Sequence, residues 1–265
     1  MKSFDFEYDG ILLSDIGFMV CKFNSDGSAE TISSVSQITF NTVSTLNGSK
    51  HDLASSKYES CIEATFQICK DPCKNNDLFI SVRELRDLRR WLNRKGFYKF
   101  KLMDDDYLDL YFEASFNVNE IKINGEICGI ELVMRTNRPF ALQEPNKITI
   151  KNLTTNGKKI INDISDDEGF IYPKMEIKLE QSGDLNIHNA LENRTMSIKN
   201  CIAGEIITLD YPIIESSVKS HKIQDDFNWS FFRIANNFRN NRNEITISLP
   251  CTITMTYSPI VKVGI

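Results

Sequence analysis

The stretch LDLYFEASFNVNEIKINGEICGIEL, Leu108–Leu132, decides how this chain is read. Leu108, Leu110, Phe112, Ala114 and Phe116 alternate with Asp109, Tyr111, Glu113 and Ser115. A period of two turns one set of side chains toward a core and the other toward solvent or a neighbour, as in an antiparallel strand. Asn124-Gly125 then separates Ile121 and Ile123 from Ile127, Ile130 and Leu132. Both turn residues accept positive φ, so the spacing predicts a hairpin.

The same alternation appears upstream, where Ile62, Ala64, Phe66 and Ile68 interleave with Glu63, Thr65, Gln67 and Cys69. Between Tyr98–Leu102 and Leu108–Leu110, the run Asp104-Asp105-Asp106 reads as a solvated turn, because its spacing is not that of an EF-hand loop. One segment breaks the pattern. Ser81-Val82-Arg83-Glu84 is a capping box, followed by Val82, Leu85, Leu88 and Leu92 at helical spacing and by Gly96 as a stop. The spacing predicts a helix over 82–95.

From 136 to 147 the pattern lapses, and Pro139 and Pro145 suit an extended connector. Beyond it, short strand signals recur at Ile148–Ile150, Met175–Leu179, Leu185–Ile187, Met196–Ile198, Ile206–Leu209, Trp229–Ile234, Ile245–Leu249 and Ile253–Tyr257. That rhythm predicts a β-sandwich or jelly-roll. The expectation is a mainly β protein with two domains. Residues 1–140 form a first domain carrying the one helix, and 146–265 form an all-β second domain.

Composition narrows the function. The chain has 265 residues, ample for two cores without metal or disulfide support. Its 17 Phe, 8 Tyr and 2 Trp suit pleated surfaces. A net charge of −5 repels phosphate backbones on average, which argues against specific nucleic-acid binding. No stretch approaches the ~20 apolar residues that a membrane helix needs, and the acidic start MKSFDFE is not a secretory signal. A chain made in the cytosol with seven cysteines reads as carrying reduced structural thiols; Cys61, Cys69 and Cys73 lack zinc-site spacing. His51, His188 and His221 are scattered and belong to no hydrolase or metal motif. No cofactor, metal or enzymatic activity is expected.

Two features remain. The helix carries six basic residues against two acidic ones, a charge of +4 in an acidic chain. It is a solvated face, a nucleic-acid contact, or a partner for acids on another copy; the negative bulk charge ranks protein contact above DNA. Ser44–Ser60 is polar and long, either a surface loop or an arm that orders on a partner.

Taken in order, several segments resemble the distal tail protein (Dit) family of long-tailed bacteriophages. They are Phe6–Gly17, the strand Ser60–Ile68, Arg86–Leu92, Tyr98–Leu102, Tyr111–Ala114 and Arg138–Ala141. In the second half they are Tyr172–Met175, Gly204–Asp210, Asn243–Ile247 and Cys251–Pro259. The resemblance spans nearly the whole chain and rests on order and spacing. It implies an N-terminal split-barrel or β-sandwich domain with one helix, and a C-terminal galectin-like β-sandwich. It also implies a homo-hexameric ring at the virion tail tip, assembled in the host cytoplasm. That ring would join the tail tube protein to the tail-tip hub or tail-associated lysin, and to receptor-binding or baseplate proteins. DNA would pass through it without specific binding. On this reading Arg86, Arg89 and Arg90 brace the ring, while Ser44, Asn47, Lys50, His51 and Lys57 contact a neighbour or the tube. The competing expectation is a stand-alone carbohydrate-binding module for host recognition.

Overall fold

The alternation at 110–116 becomes one strand whose inward set, Phe112, Ala114 and Phe116, is buried, while Tyr111, Glu113 and Ser115 are half-exposed. A computed structural model describes residues 5–23, 37–45, 48–237 and 240–263. The chain divides into two compact units, Met1–Leu142 with Lys262–Ile265, and Gln143–Val261.

In the first unit the strands are β1 (Phe6–Tyr8), β2 (Ile11–Leu12), β3 (Phe18–Cys21), β4 (Ile38–Thr45), β5 (Lys50–Tyr58) and β6 (Glu63–Lys70). Helix α1 (Val82–Leu92) follows, then β7 (Tyr98–Leu102), β8 (Leu110–Ile123) and β9 (Glu126–Thr136). The main sheet runs β2-β1-β7-β8-β9-β6-β3, with every pair antiparallel. The β8–β9 turn is Asn124-Gly125, with φ of 52° and 90°; the expected hairpin is there for the expected reason. Asp104–Asp106 is a turn, closed by the Tyr107 amide donating to the Asp104 carbonyl at 2.9 Å.

This sheet packs around aromatic rings. The fully buried Phe6 ring contacts Phe66, Trp91, Phe100 and Phe116 at centroid distances of 5.3–6.2 Å. Edge-to-face and offset pairs of this kind add to plain burial, because ring edges are positive and faces negative.

The helix ends three residues before the predicted Lys95. Asn93 takes the cap, with its amide bonded to the Arg89 carbonyl, so Gly96 is not the stop. Leu85, Leu88 and Leu92 are buried, but Val82, placed on the same face by spacing, is 80% exposed. It sits in the first turn, ahead of the part of the helix that reaches the core.

The region expected to be only a connector contains a short strand, β10 (Ala141–Gln143). The second unit holds β11 (Asn146–Asn152), β12 (Gly157–Asn162), β13 (Gly169–Ile171), β14 (Lys174–Leu179), β15 (Gly183–Asn189), β16 (Arg194–Cys201), β17 (Ile206–Asp210) and β18 (Ile213–Ser216). A single helical turn α2 (Ile223–Asp226), β19 (Ile234–Asn236), β20 (Arg242–Ile247), β21 (Cys251–Tyr257) and β22 (Ile260–Val261) complete it. A five-stranded sheet, β11-β21-β14-β17-β18, and a four-stranded sheet, β12-β20-β15-β16, share one core. Met175, Ile177, Ile253 and Met255 come from the first sheet, and Leu185, Ile187, Met196 and Ile245 from the second. Inner faces that alternate with polar outer residues and meet in one core make a β-sandwich. The predicted strand at Trp229–Ile234 does not form; only Ile234 onward is extended, because Trp229 takes a left-handed φ of 55°.

Phe6→Ala removes the ring at the centre of the first unit's aromatic core and leaves a cavity that rigid strands cannot close. Its expected cost is about 3–5 kcal/mol, measured by denaturant melts of the two proteins.

Candidate functional site

Helix α1 is fixed at both ends by side chains from other elements. At its start, the Glu84 amide donates to Ser81 Oγ at 3.3 Å, and the Ser81 amide donates to Glu84 Oε2 at 2.8 Å. Glu84 Oε1 also meets Lys70 Nζ of β6 at 2.8 Å, and Lys70 is buried. Burial resists the charge on Glu84. Lys70 and the Ser81 hydroxyl and amide outweigh it, holding the carboxyl below its ordinary range.

At the other end, Trp91 Nε1 donates to the Tyr8 carbonyl at 3.0 Å. The Arg94 guanidinium stacks 3.6 Å from the Tyr98 centroid and pairs with Asp9 at 2.9 Å. Burial disfavours the Arg94 charge, but Asp9 and the Tyr8 ring more than restore it, raising its pKa.

The outer face of the helix is basic. Val82, Leu85, Arg86, Arg89, Arg90 and Asn93 line a shallow groove of about 480 Å³. Arg89 pairs with Glu120 of β8 at 2.8 Å, and Arg90 lies 3.7 Å from Asp87. Arg86 has no ion-pair or hydrogen-bond partner among the described residues. The three predicted arginines therefore share one face with one strong intramolecular pair between them.

The polar segment after Ser44 is not a loop. Lys50–Tyr58 is strand β5, paired along its length with β4 from Ile38↔Tyr58 to Thr45↔Lys50, with a bulge at Asn41/Thr42. Its residues give no period-two signal because neither face of the hairpin is buried. The ladder and short polar contacts hold it instead: Asn41 Nδ2 donates to Ser55 Oγ at 3.0 Å, and Lys50 meets Asp52 at 2.7 Å. Ser44, Lys50, His51 and Lys57 all lie on this hairpin, with Ser44 opposite His51. Asn47 falls outside the described residues. At its base, Tyr58 packs edge-on against Phe140 at 6.2 Å.

The hairpin also carries large apolar side chains into solvent. Phe40 is 61% exposed, Leu53 60% and Val43 56%, with Ile38 exposed beside them. Sequence reading missed these, since they stand among Thr, Ser, Asn and Lys.

The three histidines are far apart in role. His51 is exposed on the hairpin, and His188 Nδ1 bonds Thr195 Oγ1 at 2.9 Å. His221 is buried, its Nδ1 2.6 Å from Glu205 Oε1 and its Nε2 3.0 Å from the Lys199 carbonyl. Among the described residues, no group of three or more His, Cys, Asp or Glu could hold a metal ion. All seven cysteines are free thiols. Burial pushes Cys201 up to about 12 and Cys251 up to about 11, with nearby carboxylates adding to the effect. Among the described residues no helix is long and apolar enough to cross a membrane.

What the fold offers is surface: in the first unit, a basic helix face and a solvent-exposed hairpin with apolar side chains. The chain belongs to a phage tail protein family. A family profile described as the phage tail protein N-terminal domain matches residues 1–138, and one described as the phage tail C-terminal domain matches 140–257. No curated protein sequence matches it. In fold it is similar to the crystal structure of the SPP1 phage Dit protein (gp 19.1), described there as a paradigm of the hub adsorption apparatus in phages that infect Gram-positive bacteria. The TM-score is 0.64 at 11% identity, over 97% of this chain and 99% of that one. The family resemblance read from the sequence holds. A structural role in the phage tail is the reading that family and fold support.

Because the folded pKa of Glu84 lies below its unfolded value, the pairing with Lys70 and Ser81 is fully stabilising above roughly pH 4.5. It is lost as pH falls through the depressed folded value. Acid titration followed by Trp91 fluorescence is expected to show Glu84→Gln less stable than the parent at pH 7. The gap should narrow below pH 4.

Proposed function

We propose that this chain is a distal tail protein that works by shape. Six copies close into a ring at the end of the tail tube. The ring joins the tube to the tail-tip hub or tail-associated lysin, the sandwich unit holds receptor-binding or baseplate components, and no bond is made or broken. Assembly takes place in the cytoplasm of the bacterial host.

The observation that carries this reading is the β4–β5 hairpin. A two-stranded sheet in water is marginal unless a further surface covers one of its faces. Here each strand runs eight or nine residues, and the pair exposes Ile38, Phe40 and Leu53 on one face and Val43 on the other. A head-to-tail contact, in which each hairpin covers a different patch on the next copy, closes into a ring when the rotation closes. The basic α1 face supports a second contact of the same kind, with Arg86 free to meet a carboxylate on the neighbour. Arg86, Arg89 and Arg90 brace the ring in this arrangement, and Ser44, Lys50, His51 and Lys57 travel with the hairpin onto the neighbour or the tube.

Light scattering on the chain alone, and on the chain mixed with its tail tube protein, should give about six copies in one or both samples. One or two copies in both would refute the ring. Phe40→Asp with Leu53→Asp should abolish the assembly while leaving thermal stability within about 0.5 kcal/mol, because both side chains are already in water. Reversing Arg86, Arg89 and Arg90 to Glu should also lower the assembled fraction. Normal assembly of that triple variant would remove the helix from the interface.

A further inference from the structure

The second unit carries a row of aromatic rings that neither the core nor the hairpin explains. Phe170, Tyr211 and Trp229 are each about half-exposed, yet all three are linked by ring contacts. Phe170 meets Tyr172 at 5.5 Å, and Tyr172 stacks flat on Tyr211 at 4.1 Å and 9°. The buried Phe231 touches Tyr211 at 5.3 Å and Trp229 at 6.5 Å. We propose that this row is a docking surface for an apolar, carboxylate-bearing segment of a second virion protein.

Three observations support it. First, Trp229 is held in place against its own preference. It has a φ of 55°, where a bulky side chain is disfavoured, and Asn228 enforces that turn. Asn228 Oδ1 accepts from the Ser197 and Ser230 amides at 3.1 Å each, and its Nδ2 donates to the Thr195 carbonyl at 3.0 Å. The backbone that carries this exposed ring is thus set in advance and loses no further freedom when a partner binds.

Second, the guanidinium that lies on the row is already engaged. Arg233 pairs with Glu192 at 2.6 Å and lies 3.8 Å over the Phe170 ring.

Third, Arg194 supplies an unspent charge. Its Nε donates to the Phe231 carbonyl at 3.2 Å, and no other polar contact of this side chain is formed among the described residues. A guanidinium at the backbone of Phe231, whose ring meets the exposed Tyr211 and Trp229, has the composition of an interface centre, and its natural complement is a carboxylate.

The inference rests on the tail reading but not on the ring. It is tested in tails assembled with a photo-crosslinking benzoylphenylalanine replacing Trp229 or, separately, Tyr211, whose backbone φ is not left-handed. Leu153, 79% exposed in the same unit, is the control position. Both row positions should form adducts with a peptide of a different tail protein containing Asp or Glu, and the control should not. Arg194→Glu should lower the adduct yield about tenfold. No adduct, an adduct equal to the control, one joining two copies of this chain, one to polysaccharide, or one indifferent to Arg194→Glu would each overturn the inference. Copies of the chain per tail, counted in the same samples, test the ring separately. A normal count with no adduct sinks the docking surface alone.

Discussion

A sheet whose inner face carries Phe6, Tyr8, Phe66, Phe100 and Phe116 has to be roofed, and the first unit depends on how that is done. Helix α1 contributes Trp91, which stacks on Phe6 at 6.0 Å and meets Tyr8 edge-on at 6.0 Å. The indole also donates its one N–H to the Tyr8 carbonyl, so the half-buried ring has no orphaned donor. Ser81, Glu84 and Lys70 secure the helix at one end, and Arg94 and Asp9 at the other. With its apolar stripe turned inward, the helix has only one face left to show. That face is basic because a helix of this length in a small unit must put its charges where water is.

The hairpin is the opposite case. Its strands satisfy their backbone groups on each other and little else, and its apolar side chains face water. Exposed apolar patches on a folded chain mark surfaces meant for contact. The main sheet of the unit is packed on a core and the extension is bare.

How much of this was legible in the sequence varied with burial. The Asn124-Gly125 turn, the Ser81–Glu84 cap and the alternation at 110–116 could be read because each is a local code with a local cause. Strand β5 could not, since Lys50–Tyr58 buries neither face and the ladder that makes it a strand leaves no trace in residue type. The segment at Trp229–Ile234 looked like a strand by its aromatics, but Asn228 bends it through bonds to β16, more than thirty residues away. The outward face of Arg86, Arg89 and Arg90 followed from helical spacing. That Arg89 is partly spent on Glu120, across 31 positions, did not. Contacts distant in sequence were where inference from residues stopped.

The buried thiols set how such a part ages. Oxidation of cysteine proceeds through the thiolate, and burial leaves Cys201 and Cys251 almost wholly protonated at neutral pH. In oxidising surroundings the sandwich keeps these two sulfurs chemically silent. The more exposed Cys73 is where air and peroxide strike first.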